Sequence, residues 1–110
     1  MKLGQYGKYQ GRWYIVVALR GHLILIMGEG GNKLQIKVSN FEPREGNVAK
    51  QVRYEGMDYL ITKDKKIISL QTNKFMQWHE THPIRNAILN LSGIARCKQV
   101  LRYSQAELPL

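Results

Sequence analysis

Cysteine is nearly missing from this chain. Cys97 is the only one in 110 residues, so no internal disulfide can form, and a reducing compartment is expected. Acidic side chains are scarce too. Eight Asp and Glu face seventeen Lys and Arg, a formal net charge of +9 with an isoelectric point near 9.9. Such an excess implies an anionic partner and excludes an acidic surface. Long apolar runs are absent. The longest uninterrupted one, Trp13 to Leu19, falls far below the roughly 20 residues of a membrane-spanning helix, so no membrane partner is expected. Met1 to Tyr9 is polar and glycine-containing, without the apolar stretch of a signal peptide. Together these absences imply a cytoplasmic protein. No internal repeat or low-complexity tract interrupts the chain.

What is present is enough apolar material for one core. With 44% apolar and 23% charged residues, the chain is too hydrophobic for intrinsic disorder. Its length allows one domain, residues 1–110, and no second core beside it. Gly4, Gly7 and Gly11 make residues 1–11 read as a loose N-terminal segment. Residues 12–72 read as a β-rich unit. Trp13-Tyr14-Ile15-Val16-Val17-Ala18-Leu19 and Leu23-Ile24-Leu25-Ile26-Met27 flank Arg20-Gly21-His22 as a hairpin whose two faces are both at least partly covered. Gly28 to Lys33 is a turn. Leu34 to Ser39 then alternates, with Leu34, Ile36 and Val38 facing inward. Asn40 to Asn47, with Pro43 and Gly46, reads as a break. Residues 48–54 suggest a short strand. Asp58–Thr62 and Ile67–Thr72 flank Lys63-Asp64-Lys65-Lys66 as a second hairpin with a charged tip, and Asn73-Lys74 starts another turn.

Pro83 suits the first turn of a helix, with Thr81 or His82 as its cap. Apolar residues at 84, 87, 88, 91, 94 and 95 form one stripe and predict a helix over 83–96. Ser92-Gly93 either ends it early or costs it about 1 kcal/mol against alanine. Residues 100–110 read as a tail. The expected fold class is therefore α+β and mainly β: about five antiparallel strands, as a meander or small SH3-like barrel, with one C-terminal helix.

Catalytic patterns fail on spacing. Structural or catalytic zinc needs several ligands at fixed separations; the chain offers one Cys and three His. His79 and His82 lie three apart where a helix is only beginning, whereas a zincin needs them four apart on a helix. Cys97, between Arg96 and Lys98, has cations that would lower its pKa but no partner base. Ser69 and Ser92 lack a nucleophile-elbow context. Gly28-Glu29-Gly30-Gly31 lacks the Lys-Ser/Thr and following helix of a phosphate loop and reads as a hairpin turn. No enzyme activity, cofactor or metal is expected.

Basic and aromatic residues do interleave. Tyr54, Tyr59, Phe75 and Trp78 lie among Arg53, Lys63, Lys65, Lys66 and Lys74, a pattern that also serves nucleic-acid binding. The same stretch resembles a known family. Tyr59, Ile61, Thr62, Lys66, Ile67, Ser69, Leu70, Thr72, Lys74, Phe75 and Met76 fit, without a gap, the nuclease-associated modular DNA-binding motifs (the NUMOD group) found beside HNH catalytic domains of homing endonucleases. Tyr54-Glu55-Gly56 is similar to their lead-in. Lys65 stands where the family has a turn glycine, Ile68 where an arginine is common, and Asn73 where a glycine is usual. The match covers 54–76, and no HNH signature accompanies it. The resemblance implies a DNA-binding hairpin without the nuclease, in a small accessory protein of a bacterium, phage or mobile element.

The leading expectation is a non-enzymatic nucleic-acid-binding protein, duplex DNA rather than RNA, working mainly through phosphate contacts. The expected contact residues are Arg53, Tyr54, Lys63, Lys65, Lys66, Lys74, Trp78 and Arg85. The alternative is an SH3-like protein-interaction module with an acidic protein partner. A small nuclease using His79 or His82 is the third reading. Exposed sheet edges would also allow a homodimer.

Overall fold

The computed structural model describes residues 1–93. Nine strands and one helix follow in order: β1 (Gln5–Tyr9), β2 (Arg12–Arg20), β3 (Leu23–Met27), β4 (Lys33–Lys37), a 3₁₀ turn (Val38–Asn40), β5 (Glu42–Val48), β6 (Lys50–Tyr54), β7 (Met57–Ile61), β8 (Ile67–Ser69), β9 (Lys74–Phe75) and α1 (Pro83–Ser92). The fold is mainly β, as expected, but with nine strands rather than about five. They form two antiparallel sheets, ordered β4-β3-β2-β1-β5 and β6-β7-β8-β9. No ladder among the described residues closes them into a barrel.

Residues 1–11 are not loose. β1 is an interior strand, paired with β2 on one side and β5 on the other. Its glycine serves packing rather than freedom. A Cβ on Gly7 would lie 2.5 Å from the Phe41 ring and 2.4 Å from the Glu42 carbonyl oxygen, so only glycine lets Phe41 lie against the strand. Residues 40–47 are not a break either. Glu42–Val48 forms β5, an edge strand where Pro43 can face outward without spoiling a ladder. Between Gln5 and Gly7 the β1–β5 register jumps from Val48 to Pro43. The buried Gln5 amide fills that irregularity, donating to the Arg44 carbonyl at 2.8 Å and the Asn47 carbonyl at 3.3 Å.

The long apolar run of β2 is explained by two covered faces. Tyr14, Val16, Ile24, Ile26 and Ile36 pack with Phe41 on one face of the first sheet. Ile15, Val17 and Met27 pack on the other, against Ala49 at the crossing between the sheets and Leu60 and Ile68 of the second sheet. The second sheet repeats the arrangement. Val52, Tyr59, Ile61 and Ile67 turn away from the first sheet and pack with Ile88 and Leu89 of α1. Period-two alternation of β-branched and aromatic residues thus sorts the chain into sheet, sheet and helix layers.

Several boundaries differ from the expectation. The strand read over 34–39 ends at Lys37, and Leu34 is exposed, because β4 is an edge strand with little above it. The strand read over 48–54 is split at Ala49, where β5 ends and β6 begins in the other sheet. The helix read over 83–96 ends at Ser92. Gly93, at φ +87°, forms a left-handed C-cap whose N–H reaches the Asn90 carbonyl at 3.1 Å. Lys50 Nζ donates to the Ser92 carbonyl at 2.8 Å, placing a cation at the helix C-terminus. With the helix shorter, its buried face is Ile88, Leu89 and Ser92, while Leu91 of the expected stripe is exposed. The remaining stripe positions 94 and 95, the tail over 100–110 and Cys97 lie outside the described residues.

Candidate nucleic-acid interface

The second hairpin forms where the sequence placed it. Lys65 N–H donates to the Thr62 carbonyl at 3.0 Å, and Thr62 N–H to the Lys66 carbonyl at 2.9 Å. The Thr62 hydroxyl accepts from Lys66 N–H and also bonds the Asp64 carboxylate. Lys65 adopts φ +65°, the left-handed conformation for which such three-residue loops favour glycine. The tip then docks on the first sheet. Lys63 N–H donates to the Tyr6 hydroxyl at 3.2 Å, and Lys63 Nζ donates to Asn47 Oδ1 at 2.8 Å while lying 5.4 Å from the Tyr6 ring centre. Burial pushes the Tyr6 hydroxyl above its ordinary pKa, so it stays protonated.

This docking leaves a cleft of about 800 Å³ between the two sheets at the tip end. Tyr6, Arg12 and Trp13 line its first-sheet wall; Lys63, Lys66 and Phe75 line the other. Lys66 Nζ lies 5.6 Å from the Phe75 ring centre and 3.7 Å from Asp64. Trp13 sits opposite Lys8 on β1. The Lys8 ammonium and the Arg44 guanidinium each lie 5.2 Å from the Trp13 ring centre, within cation–π range. Arg44 belongs to the irregular stretch of β5 that Gln5 holds. A neighbouring hollow of about 670 Å³ shares Lys66, Phe75 and Asp64 and continues to Lys65, Trp78 and Arg85.

The structure therefore brings Lys63, Lys65, Lys66, Trp78 and Arg85 along one groove. It separates the other expected contact residues from them. Arg53 stands at the opposite end of the second sheet, bound through two nitrogens to Asp58 at 3.1 and 3.2 Å. That pairing lowers the Asp58 pKa and raises that of Arg53. Tyr54 packs at the core under α1. Lys74 opens β9 opposite Ser69 and lines neither hollow. Trp78 is half-buried, stacked on His82 at 5.2 Å between ring centres and tilted against Tyr59 at 6.1 Å. Arg85 donates to the Glu80 carbonyl at 3.0 Å.

The histidines have local partners. His82 is the helix N-cap, its Nδ1 accepting from Ile84 N–H at 3.2 Å. His79 Nδ1 accepts from Thr81 N–H at 3.3 Å. Among the described residues, no three His, Cys, Asp or Glu side chains gather where they could share a metal ion.

Sequence reasoning missed Lys8, Arg12, Trp13 and Arg44. The first three carried a signal. Gln10-Gly11, at φ +51° and +80°, is a two-residue hairpin turn, and reading it so places Lys8 opposite Trp13. Arg44 had none, because its position depends on the irregular β5 register. Comparison of the chain with known protein families, curated proteins and solved structures gives no match.

Proposed function

We propose that the protein binds nucleic acid through the cleft at the hairpin tip and catalyses no reaction on it. The observation that carries this reading is the meeting of cations from both sheets, Lys8, Arg12 and Arg44 with Lys63 and Lys66, around an open aromatic-lined cleft. Cations on both walls suit a polyanion threaded between them, and the excess charge of the whole chain favours its approach. Phosphate contacts would supply most of the affinity, without reading sequence. The resemblance of residues 54–76 to DNA-binding modules makes DNA the first nucleic acid to test. Fluorescence anisotropy with labelled duplex DNA, single-stranded DNA and RNA across a salt series tests this. Log affinity should fall linearly with log salt, with a slope of roughly 0.7 to 0.9 per neutralised phosphate. A folded sample that binds none of them at low salt overturns the reading.

A second reading rests on the first sheet. Its order β4-β3-β2-β1-β5, with a 3₁₀ turn before β5, is similar to that of SH3-like modules, which also bind peptides. An apolar peptide would keep its affinity across the salt series. An acidic protein would not, and competition with DNA separates that case.

A further inference from the structure

We infer that the cleft takes an unpaired nucleic-acid strand, with one base stacked at Trp13 and the flanking phosphates at Lys8, Arg44 and Lys63. This rests on the nucleic-acid reading above and names the form of its ligand. Trp13 lies on the same face of β2 as Ile15 and Val17, which the second sheet buries. At Trp13 that cover has ended. The residue is 48% exposed and, among the described residues, the only exposed Phe, Trp or Tyr. Leaving a large indole half in water forgoes the free energy of burying it. A base stacked there would remove the exposed surface, and base–aromatic stacking tolerates any base because each has a π-face.

The charges are placed for the same ligand. Lys8 and Arg44 reach the Trp13 ring from β1 and β5, while Lys63, on the facing wall, is fixed by Asn47 and Tyr6. A stacked nucleotide would thus carry its backbone past cations on both sides. A duplex cannot use this arrangement. Its bases are paired and stacked inside, so it would touch the rim with phosphates alone and leave Trp13 idle. A cleft of about 800 Å³ falls in the range that encloses small ligands, roughly 300–1,000 Å³. Stacking and phosphate contacts do not read the sugar, so oligo-dT and oligo-U should bind alike.

The test uses the full chain with dT and U oligonucleotides and a duplex of equal length at one salt concentration. The single strands should bind roughly ten-fold or more tightly than the duplex. Trp13→Leu should weaken single-strand binding by about ten-fold and duplex binding by less than about two-fold, with partial recovery in Trp13→Phe. In a Trp78→Phe protein, where Trp13 is the sole tryptophan, both oligonucleotides should quench its emission saturably. That readout stands even if Trp13→Leu fails to fold. Equal or tighter duplex binding, unquenched Trp13, or an unchanged single-strand affinity in folded Trp13→Leu overturns the inference and leaves a phosphate-tracking surface. Absence of binding to every nucleic acid overturns both this inference and the reading beneath it.

Discussion

The two ends of the second sheet carry similar residues and differ in what surrounds them. At one end Arg53 is held by Asp58 across the β6–β7 turn, and its charge is answered on the spot. At the other, Lys63 and Lys66 line a cleft with Arg12 and Trp13, whose ring Lys8 and Arg44 flank, and its lining acids are Asp64 and Glu29. The linear sequence places Arg53 and Lys63 ten positions apart, in one stretch where basic and aromatic residues interleave. The strand β7 between them puts them at opposite ends, since an extended residue advances about 3.3 Å. Local charge density in sequence is thus a poor guide to charge density in space.

The strongest challenge to this contrast is charge reversal at each end. Lys63→Glu with Lys66→Glu should weaken nucleic-acid binding by roughly thirty-fold or more at low salt, through two lost contacts and two added repulsions. Arg53→Gln should change it by about two-fold or less, because that charge is already paired. Equal losses at both ends, with both proteins folded by circular dichroism, would erase the distinction. A smaller effect sharpens it. Asp64 is an anion among the cleft cations, so Asp64→Asn should tighten binding by roughly three-fold at low salt and by less at high salt. Titration by anisotropy checks this.

Lys65→Gly separates folding from binding at the tip. Glycine suits the left-handed conformation at φ +65° and should stabilise the fold by up to about 1 kcal/mol, read as a raised melting temperature. The same change removes a groove cation, so affinity should fall while stability rises. The smallest expected effect is on pH. The Thr62 hydroxyl holds the Asp64 carboxyl below its ordinary pKa, and Arg53 does so for Asp58. Folded values below the unfolded one, about 3.9, mean that this stabilisation is fully present above that value. It is lost as pH falls through the folded values. Melting temperature should therefore be flat from pH 8 to about 5 and drop below about 4, with a shallower drop in Asp58→Asn/Asp64→Asn.

Much of the fold was legible because local chemistry and tertiary structure agree. The Gly21-His22 turn joins Arg20 to Leu23 as expected, and the apolar runs on either side of it are covered on both faces. His82 caps a helix that starts at Pro83. Asn73 takes the left-handed conformation, φ +55°, in place of a turn glycine. The misses share one cause. Gly7 and Pro43 read as breakers, yet they lie in paired strands, whereas Gly46 does break the pairing, at φ +83° in the stretch of β5 that has no partner on β1. A breaker reports what the backbone can do alone, not whether Phe41 needs space beside it or whether an edge leaves proline harmless. The candidate site was half legible: the hairpin-tip lysines were named as expected contacts, while the opposite wall of the cleft was not.

Alternation, turn residues and capping acted over a few positions, and they determined that this chain would be a basic, mainly β protein with a charged hairpin and one late helix. Which residues share a surface was decided only in three dimensions. Packing Ile15, Val17 and Met27 against Leu60 and Ile68 brings the hairpin tip onto β1. A bulge held by Gln5 then carries Arg44 to Trp13. These are contacts across some thirty to sixty positions of chain, and they arise from burying apolar area between two sheets, a force that has no direction along the sequence.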